Sequence, residues 1–406
     1  MNTLLNKELK LVLLWLLFPM LGMAQSGNWM SSKQIEKDNL LFIEGGTYNM
    51  GQDAEEDIVR RVTVSAFYIA PTEVTNKEYR AFINWLNKHN KSQVVAMLPD
   101  TSIWQRCVSK EVGEQLVNDY FRLPAFDYYP VVGVSWLQAT AFTKWKSDRY
   151  NEQLAKTSGL WSSEMQEKYA FSTAEFLSGT YHKKEGIDFP NGHNLFLPNH
   201  RLLTEAEWEY AAWALIGKRL QNEDGYVANQ QLVSTPTDGK EKHYKKEINQ
   251  ERKKALRHAR KYPVPNYYNA EKHNLPKCVF EGDINAYGIF NMNGNVAEWV
   301  YDVYQPISKV VENIPKPITA PQSKDTQKTI PEDQMSVIET PWEEVVAKGK
   351  AAQSHLKVDA NSLRVLKGAK SVNEKSPGNR KGAKAGGQQE RLIGFRCGMT
   401  RVEPLE

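Results

Sequence analysis

The chain has 406 residues, of which 41% are hydrophobic, 11% aromatic and 25% charged. These proportions are typical of globular proteins and exclude a wholly disordered, collagen-like or coiled-coil chain. The net charge of +4 is too small to indicate nucleic-acid binding, and three cysteines exclude a disulfide-dense scaffold or a zinc site of four cysteines.

The first 24 residues have the three parts of a secretory signal peptide. Lys7 and Lys10 precede the uncharged segment LVLLWLLFPMLGMA, in which the small residues Gly22 and Ala24 mark a cleavage site. This segment is shorter than the roughly 20 residues of a membrane-spanning helix. We therefore predict a cleaved signal peptide at 1–24, with an uncleaved anchor or a buried helix as the alternative. No cysteine follows it as a lipid acceptor, so we expect an exported protein without its own lipid anchor.

The next part of the chain predicts short strands followed by amphipathic helices. A polar lead-in occupies 25–40, and a domain with strand and helix signals follows at 41–401. Either Thr72 or Thr75 can cap the first helix. The predicted elements are a hairpin of 41–43 with 47–51 around Gly45-Gly46, a strand at 62–69, a helix at 76–87 and a helix after Ser135.

The second half combines one clear helix signal with three segments that look inserted. Thr204 and Glu207 have the spacing of a capping box, which predicts a helix start there. The segment 240–261 holds ten Lys or Arg against three Glu, a net charge of +7, and predicts a surface loop or helix. Such a run can also contact an acidic partner or lipid headgroups. The predicted insertions are 151–197, 217–262 and 305–360.

Five segments, in this order, resemble the formylglycine-generating-enzyme (sulfatase-modifying factor) domain. The resemblance runs from about residue 41 to residue 400. It implies a single α+β domain, related to C-type lectins, with much irregular structure. The segments are FIEGGTYNMG at 42–51, PVVGVSW at 130–136, RLLTEAEWEYAA at 201–212, AYGIFNMNGNVAEW at 286–299 and IGFRC at 393–397.

Further segments are similar to the gliding-motility lipoproteins GldJ and GldK (PorK), a group within this family. They include FYIAPTEVTN at 67–76, DRYNE at 148–152 and GFRCGMT at 394–400. This resemblance implies a Bacteroidetes envelope protein in the periplasm, peripheral to the outer membrane, with a structural role in type IX secretion and gliding. The implied partners are GldN/PorN-like and GldK/PorK-like proteins or further copies of this chain, and outer-membrane association would be indirect.

The cysteine content argues against catalysis. Catalytic relatives bind copper through a cysteine pair that follows an Arg-Gly-Gly-Ser segment, because thiolates bind Cu(I) well. Here that segment is KGAKS at 367–371, and no cysteine lies between Cys278 and Cys397. We therefore predict no enzymatic activity, no catalytic residues and no copper. Cys397 is interpreted as a small buried hydrophobe, and the glutamates of 205–209 as helix-capping residues. A formylglycine-generating-like oxidase with a rearranged site and a glycan- or peptide-binding module remain the alternatives.

The resemblance also implies a structural Ca²⁺ ion in the loop at 291–298. Asn291 and Glu298 would provide side-chain oxygens, and Gly294 and Val296 would provide backbone carbonyls. Calcium prefers such hard oxygen ligands. The alternative is a turn held by asparagine hydrogen bonds, with Glu298 exposed.

Overall fold

The computed structural model describes most of the predicted domain. The predicted signal peptide, nearly all of the lead-in and the insertion at 305–360 lie outside the described residues. No helix among the described residues is long and apolar enough to cross a lipid bilayer. The described residues are 40–51, 59–181, 199–213, 240–268, 270–304, 361–368, 380–386 and 392–401.

Runs of short strands are separated by runs of helices of very different length. The strands are β1 (Leu41–Ile43), β2 (Gly46–Met50), β3 (Arg60–Val64), β4 (Phe67–Ile69), β5 (His200–Leu202), β6 (Ala297–Val303), β7 (Leu363–Lys367), β8 (Lys381–Lys384), β9 (Ile393–Phe395) and β10 (Cys397–Thr400). The α-helices are α1 (Asn76–His89), α2 (Val94–Met97), α3 (Ile103–Cys107), α4 (Lys110–Asp119), α5 (Trp136–Thr157), α6 (Ser163–Lys168), α7 (Thr173–Leu177), α8 (Glu205–Ala212) and α9 (Lys240–Lys261). Short 3₁₀ helices occur at Lys91–Gln93, Pro124–Phe126 and Asn266–Tyr268.

The chain divides into two compact units. The smaller unit includes the described residues 147–181 and 199, and so the described part of the predicted insertion, 151–181. Its core is aromatic, with the ring centroid of Trp161 4.9 Å from those of both Phe171 and Tyr181. The larger unit comprises the other described residues.

Two four-stranded sheets organise the larger unit. The first is antiparallel, in the order β1-β4-β10-β5, and the second has the order β8-β7-β6-β9. In the second sheet β6 and β9 run parallel, with Glu298 opposite Gly394. Arg396 alone separates β9 from β10, so the closing segment passes from one sheet to the other at this residue.

The predicted hairpin between β1 and β2 is wrong. β1 pairs with β4, whereas β2 pairs with β3 in a separate two-stranded sheet. A Cβ atom on Gly45 would lie 2.5 Å from the carbonyl oxygen of Val64, so glycine here permits a close backbone approach rather than a tight turn. The single strand predicted at 62–69 is likewise two strands, β3 and β4, which belong to different sheets.

The helix predictions at capping signals are confirmed. α1 begins after Thr75, whose side chain accepts from the backbone N–H of Glu78 in a capping box. Thr204 and Glu207 form a second capping box at the start of α8. Ser135 and Gln138 exchange the same pair of hydrogen bonds before α5. The buried face of α1 contains the apolar residues Tyr79, Phe82, Ile83 and Leu86.

Candidate functional site

A buried ion pair lies where the two large sheets meet. Arg396 donates from Nη2 to Oε1 of Glu298 at 2.5 Å and from Nε to Oε2 at 2.7 Å. Trp208 of α8 donates from Nε1 to the same Oε2 at 2.9 Å. The exposed fraction is 0% for Glu298 and 1% for Arg396. The pair therefore links β6, the junction of β9 and β10, and α8 without contact with water.

Glu73 places a second buried carboxylate beside this pair. Its Oε2 accepts from Nδ2 of Asn291 at 3.1 Å, and its Oε1 accepts from Nδ2 of Asn295 at 2.9 Å. Burial raises the pKa of Glu73 to about 7, because the charged form loses its hydration. The Arg396 guanidinium opposes this rise in pKa, and the negative charge of Glu298 adds to it.

Replacing Glu73 by Gln should remove a pH dependence of stability. The pKa of Glu73 is above its usual 4.5 in the folded state, so between pH 4.5 and about 7 the folded protein binds more protons than the unfolded chain. The free energy of unfolding of the parent should therefore fall by about 1–3 kcal/mol as the pH rises through this range, relative to the variant. Urea unfolding of both proteins at several pH values measures this difference, and parallel pH profiles would contradict it.

Of the four residues predicted to bind calcium, the two with side-chain ligands already form hydrogen bonds to other side chains. Both carboxylate oxygens of Glu298 already accept from Arg396, and the amide nitrogen of Asn291 donates to Glu73. The side chain of Val296 is fully buried in an apolar cluster, and Gly294 has a φ of +158°. Among the residues described, no three His, Cys, Asp or Glu side chains converge as metal ligands. Arg396 neutralises the one carboxylate of this donor set, which weakens its electrostatic attraction for Ca²⁺.

Calcium binding stays a prediction of the sequence, to be measured by elemental analysis of the purified protein. The alternative of an exposed Glu298 is wrong, since the side chain is buried. The turn is nevertheless held by asparagine side chains, as that alternative expects: Asn295 also accepts from the backbone N–H of Lys277 at 2.8 Å.

A second charge network joins α8 to β7 and to Arg380, which immediately precedes β8. Lys367 ends β7 with a fully buried side chain, and its Nζ lies 2.8 Å from Oε2 of Glu209 and 4.0 Å from Oε1 of Glu205. Burial lowers the pKa of Lys367, and the charges of Glu209 and Glu205 oppose this. Arg380 donates from Nε and Nη2 to the two carboxylate oxygens of Glu205, at 2.7 and 3.0 Å.

The glutamates of α8 have different roles, which corrects the sequence interpretation in part. Glu207 caps the helix as predicted and also pairs with Arg201 at 2.6 Å. Glu205 and Glu209 instead form the buried network with Lys367. Sequence reasoning missed this role, although the lysine at 367, where the catalytic relatives have arginine, was the available signal.

The two most buried cysteines lie in different parts of the core. Cys397 is fully buried in the cluster around α1 and Trp299. Cys278 packs in a separate cluster with Phe280, and burial raises the pKa of its thiol to about 11. A raised pKa disfavours the thiolate that copper binding and nucleophilic chemistry require.

Comparison with known proteins assigns the family. The family described as "Sulfatase-modifying factor enzyme 1-like domain" matches residues 25–400. The chain belongs to this family. The predicted α+β, formylglycine-generating-enzyme-like fold is thereby confirmed. The buried residues Glu298, Trp208 and Arg396 all lie in segments through which its family resemblance was recognised.

One curated relative of this sulfatase-modifying-factor-like chain is "Inactive C-alpha-formylglycine-generating enzyme 2" of Bos taurus. It is 27% identical over 150 residues, which cover 30% of this chain and 49% of the relative. The match therefore spans about half the length of that relative.

Solved structures similar to this family member include "Treponema denticola variable protein 1", at 18% identity and a TM-score of 0.38, covering 89% of this chain and 95% of that one. "PvdO from Pseudomonas aeruginosa" is 16% identical with a TM-score of 0.38, covering 89% and 94%. "CarF" is 13% identical with a TM-score of 0.37, covering 89% and 98%. These TM-scores are too low to support an argument.

Proposed function

We propose that this chain is a non-catalytic structural protein of the bacterial cell envelope that assembles with partners in type IX secretion and gliding motility. The observation that carries the non-catalytic part is the environment of Lys367. The copper-binding cysteine pair of catalytic relatives follows this position, yet here the side chain is fully buried and paired with Glu209. No cysteine lies in the sequence between it and Cys397.

The remaining cysteines support the same proposal. Cys278 and Cys397 are buried in separate apolar clusters, where a thiolate is disfavoured. The bovine relative bears the word "inactive" in its name, which is compatible with a non-catalytic role for this chain. The assembly part of the proposal depends on the segments that resemble GldJ and GldK, such as GFRCGMT at 394–400.

The proposal places the protein in the periplasm at the outer membrane. The predicted signal peptide would export it, and its association with the outer membrane would be indirect. The proposed partners are GldN/PorN-like and GldK/PorK-like proteins, with further copies of the chain as another possibility.

Cross-linking in intact cells tests the assembly. The tagged protein is cross-linked, extracted gently and sized, and the co-migrating proteins are identified by mass spectrometry. We expect a large assembly that contains secretion-ring proteins of the proposed kind. A monomer without such partners would refute the assembly role and would direct attention to glycan binding.

A cysteine-free variant tests the non-catalytic role. Replacing all three cysteines by alanine should preserve secretion and gliding in a deletion strain, because no step of the proposed function uses a thiol. Soluble yield and thermal unfolding control for the small cavities that the two buried substitutions leave. Loss of function in a folded, normally abundant variant, with copper-dependent thiol oxidation by the parent, would instead support an oxidase.

A further inference from the structure

Helix α9 presents a line of positive charge along one face. We name the exposed residues Lys246, Lys253, Arg257 and Arg260 the basic stripe. At 3.6 residues per turn they fall within an arc of about 60°, on the side of the helix opposite Ala255. With a rise of 1.5 Å per residue, the stripe is about 21 Å long. The neutral residues Asn249 and Gln250 flank it, so no acidic residue interrupts the line.

The opposite face of α9 is packed firmly into the larger unit. Ala255 is fully buried, and Ile248 packs against two apolar clusters. His258 lies with its Nε2 2.8 Å from the carbonyl oxygen of Pro124 and 3.1 Å from Oδ2 of Asp127. The helix is therefore fixed in rotation, and the basic stripe points outward as a preorganised surface.

The charges of the basic stripe are not balanced from within the described chain. None of its four residues forms an ion pair with a side chain that the structure describes. The one described glutamate of α9, Glu251, instead pairs with Lys254 at 2.5 Å, off the stripe. Four cations that have no ion-pair partner among the described side chains, on a helix face held by packing, favour association with a surface of opposite charge.

We propose that the basic stripe is a docking site for an acidic segment of a partner protein. The complementary segment carries carboxylates in line over about 20 Å, at the one- and two-turn spacings of the stripe. This inference rests on the proposed assembly function, since it names the face through which a partner binds.

An anionic membrane is the less favoured occupant. Helices that bind membranes insert an apolar face, but the apolar face of α9 is turned toward the core through Ile248 and Ala255. Attraction of four basic residues to anionic lipid alone corresponds to a dissociation constant of about millimolar order. A protein partner can add directional hydrogen bonds from carboxylates to Arg257 and Arg260.

A binding experiment with the mature, full-length protein tests the chemistry. The probe is a fluorescent helical peptide with four Glu at the spacing of the basic stripe, and a peptide with Gln at those positions is the matched control. We expect the Glu peptide to bind and the Gln peptide not to bind. The affinity for the Glu peptide should fall as the salt concentration rises. The double variant Lys253→Glu/Arg257→Glu should weaken binding by about tenfold or more.

The control variant Lys110→Glu/Arg122→Glu changes the net charge equally at exposed positions outside α9. Its affinity should stay within about twofold of the parent, since only long-range attraction changes. Equal loss in both variants, or no loss in the stripe variant, would overturn the proposal. Tighter binding to vesicles rich in phosphatidylglycerol than to the Glu peptide would also overturn it, in favour of a membrane surface.

Photo-cross-linking in cells identifies the natural occupant. A photoreactive residue at Asn249 leaves all four cations intact, and one at Lys110 is the control. We expect position 249 to capture an acidic segment of another protein, whereas capture only of lipid or of a second copy would overturn the inference.

If the stripe variant still joins the secretion assembly, the docking site fails and the proposed function stands. If the captured acidic partner has no role in secretion, the docking site stands and the proposed function fails.

Discussion

Replacing Glu298 by Gln is expected to lower the free energy of unfolding by about 3–5 kcal/mol, because it leaves Arg396 charged and unpaired in the core. Arg396 is 1% exposed and makes hydrogen bonds to both oxygens of Glu298, so water cannot compensate for the lost charge. Urea unfolding measures this change as a shift in the urea concentration at the midpoint, if the slope of the unfolding free energy against urea concentration stays the same.

The exposed pair of Glu251 with Lys254 provides the control for this prediction. Glu251→Gln should produce no measurable change, since exposed pairs contribute little. The double variant Glu298→Gln/Arg396→Met should be more stable than Glu298→Gln, because it removes the buried guanidinium that the single variant leaves unpaired. If Glu298→Gln is as stable as the parent, the ion pair of Glu298 and Arg396 is not shielded from water as described.

Replacing Lys367 by Met is the second change with a large expected effect. It leaves the carboxylate of Glu209 buried without its cation, at an expected cost of about 3–5 kcal/mol in the free energy of unfolding. A buried carboxylate without a cation is most costly in its charged form, so the variant should be relatively more stable at low pH than at neutral pH.

A second substitution distinguishes lost charge pairing from lost packing in this network. Lys367→Met/Glu209→Gln should recover part of the stability, because a neutral amide at 209 can still accept from the backbone N–H of Gly51. No recovery, together with an unchanged pH profile, would mean that the lysine acts through its packed alkyl chain. Chemical unfolding at pH 5 and pH 8 separates these outcomes.

Local signals predicted the helices well and strand pairing poorly. The capping boxes at Thr75 and Thr204 depend on residues three positions apart, so the sequence alone determines them. The glycines at 45 and 46 gave an equally clear local pattern, but β1 found its partner in β4 instead of β2. A strand pattern indicates an extended segment and does not say which distant strand will pair with it.

The buried charges were the part of the site least accessible to sequence reasoning. Glu298 and Arg396 are 98 positions apart, and Lys367 and Glu209 are 158 apart. Glutamates near a helix start have an adequate local explanation as caps, which is correct for Glu207 alone. The family resemblance located Glu298 but assigned it to calcium, because a motif carries no information about the guanidinium that the fold places beside it.

The position of β9 and β10 near the end of the domain has a consequence for the order of events during synthesis. β10 is the strand between β4 and β5, and β9 pairs with β6, so residues 393–400 complete both four-stranded sheets. Neither sheet can form fully until the ribosome has made almost the entire domain. Contacts of such long sequence separation also form slowly. The two four-stranded sheets therefore remain incomplete until late in translation, which suits a protein whose first residues predict passage across a membrane before folding.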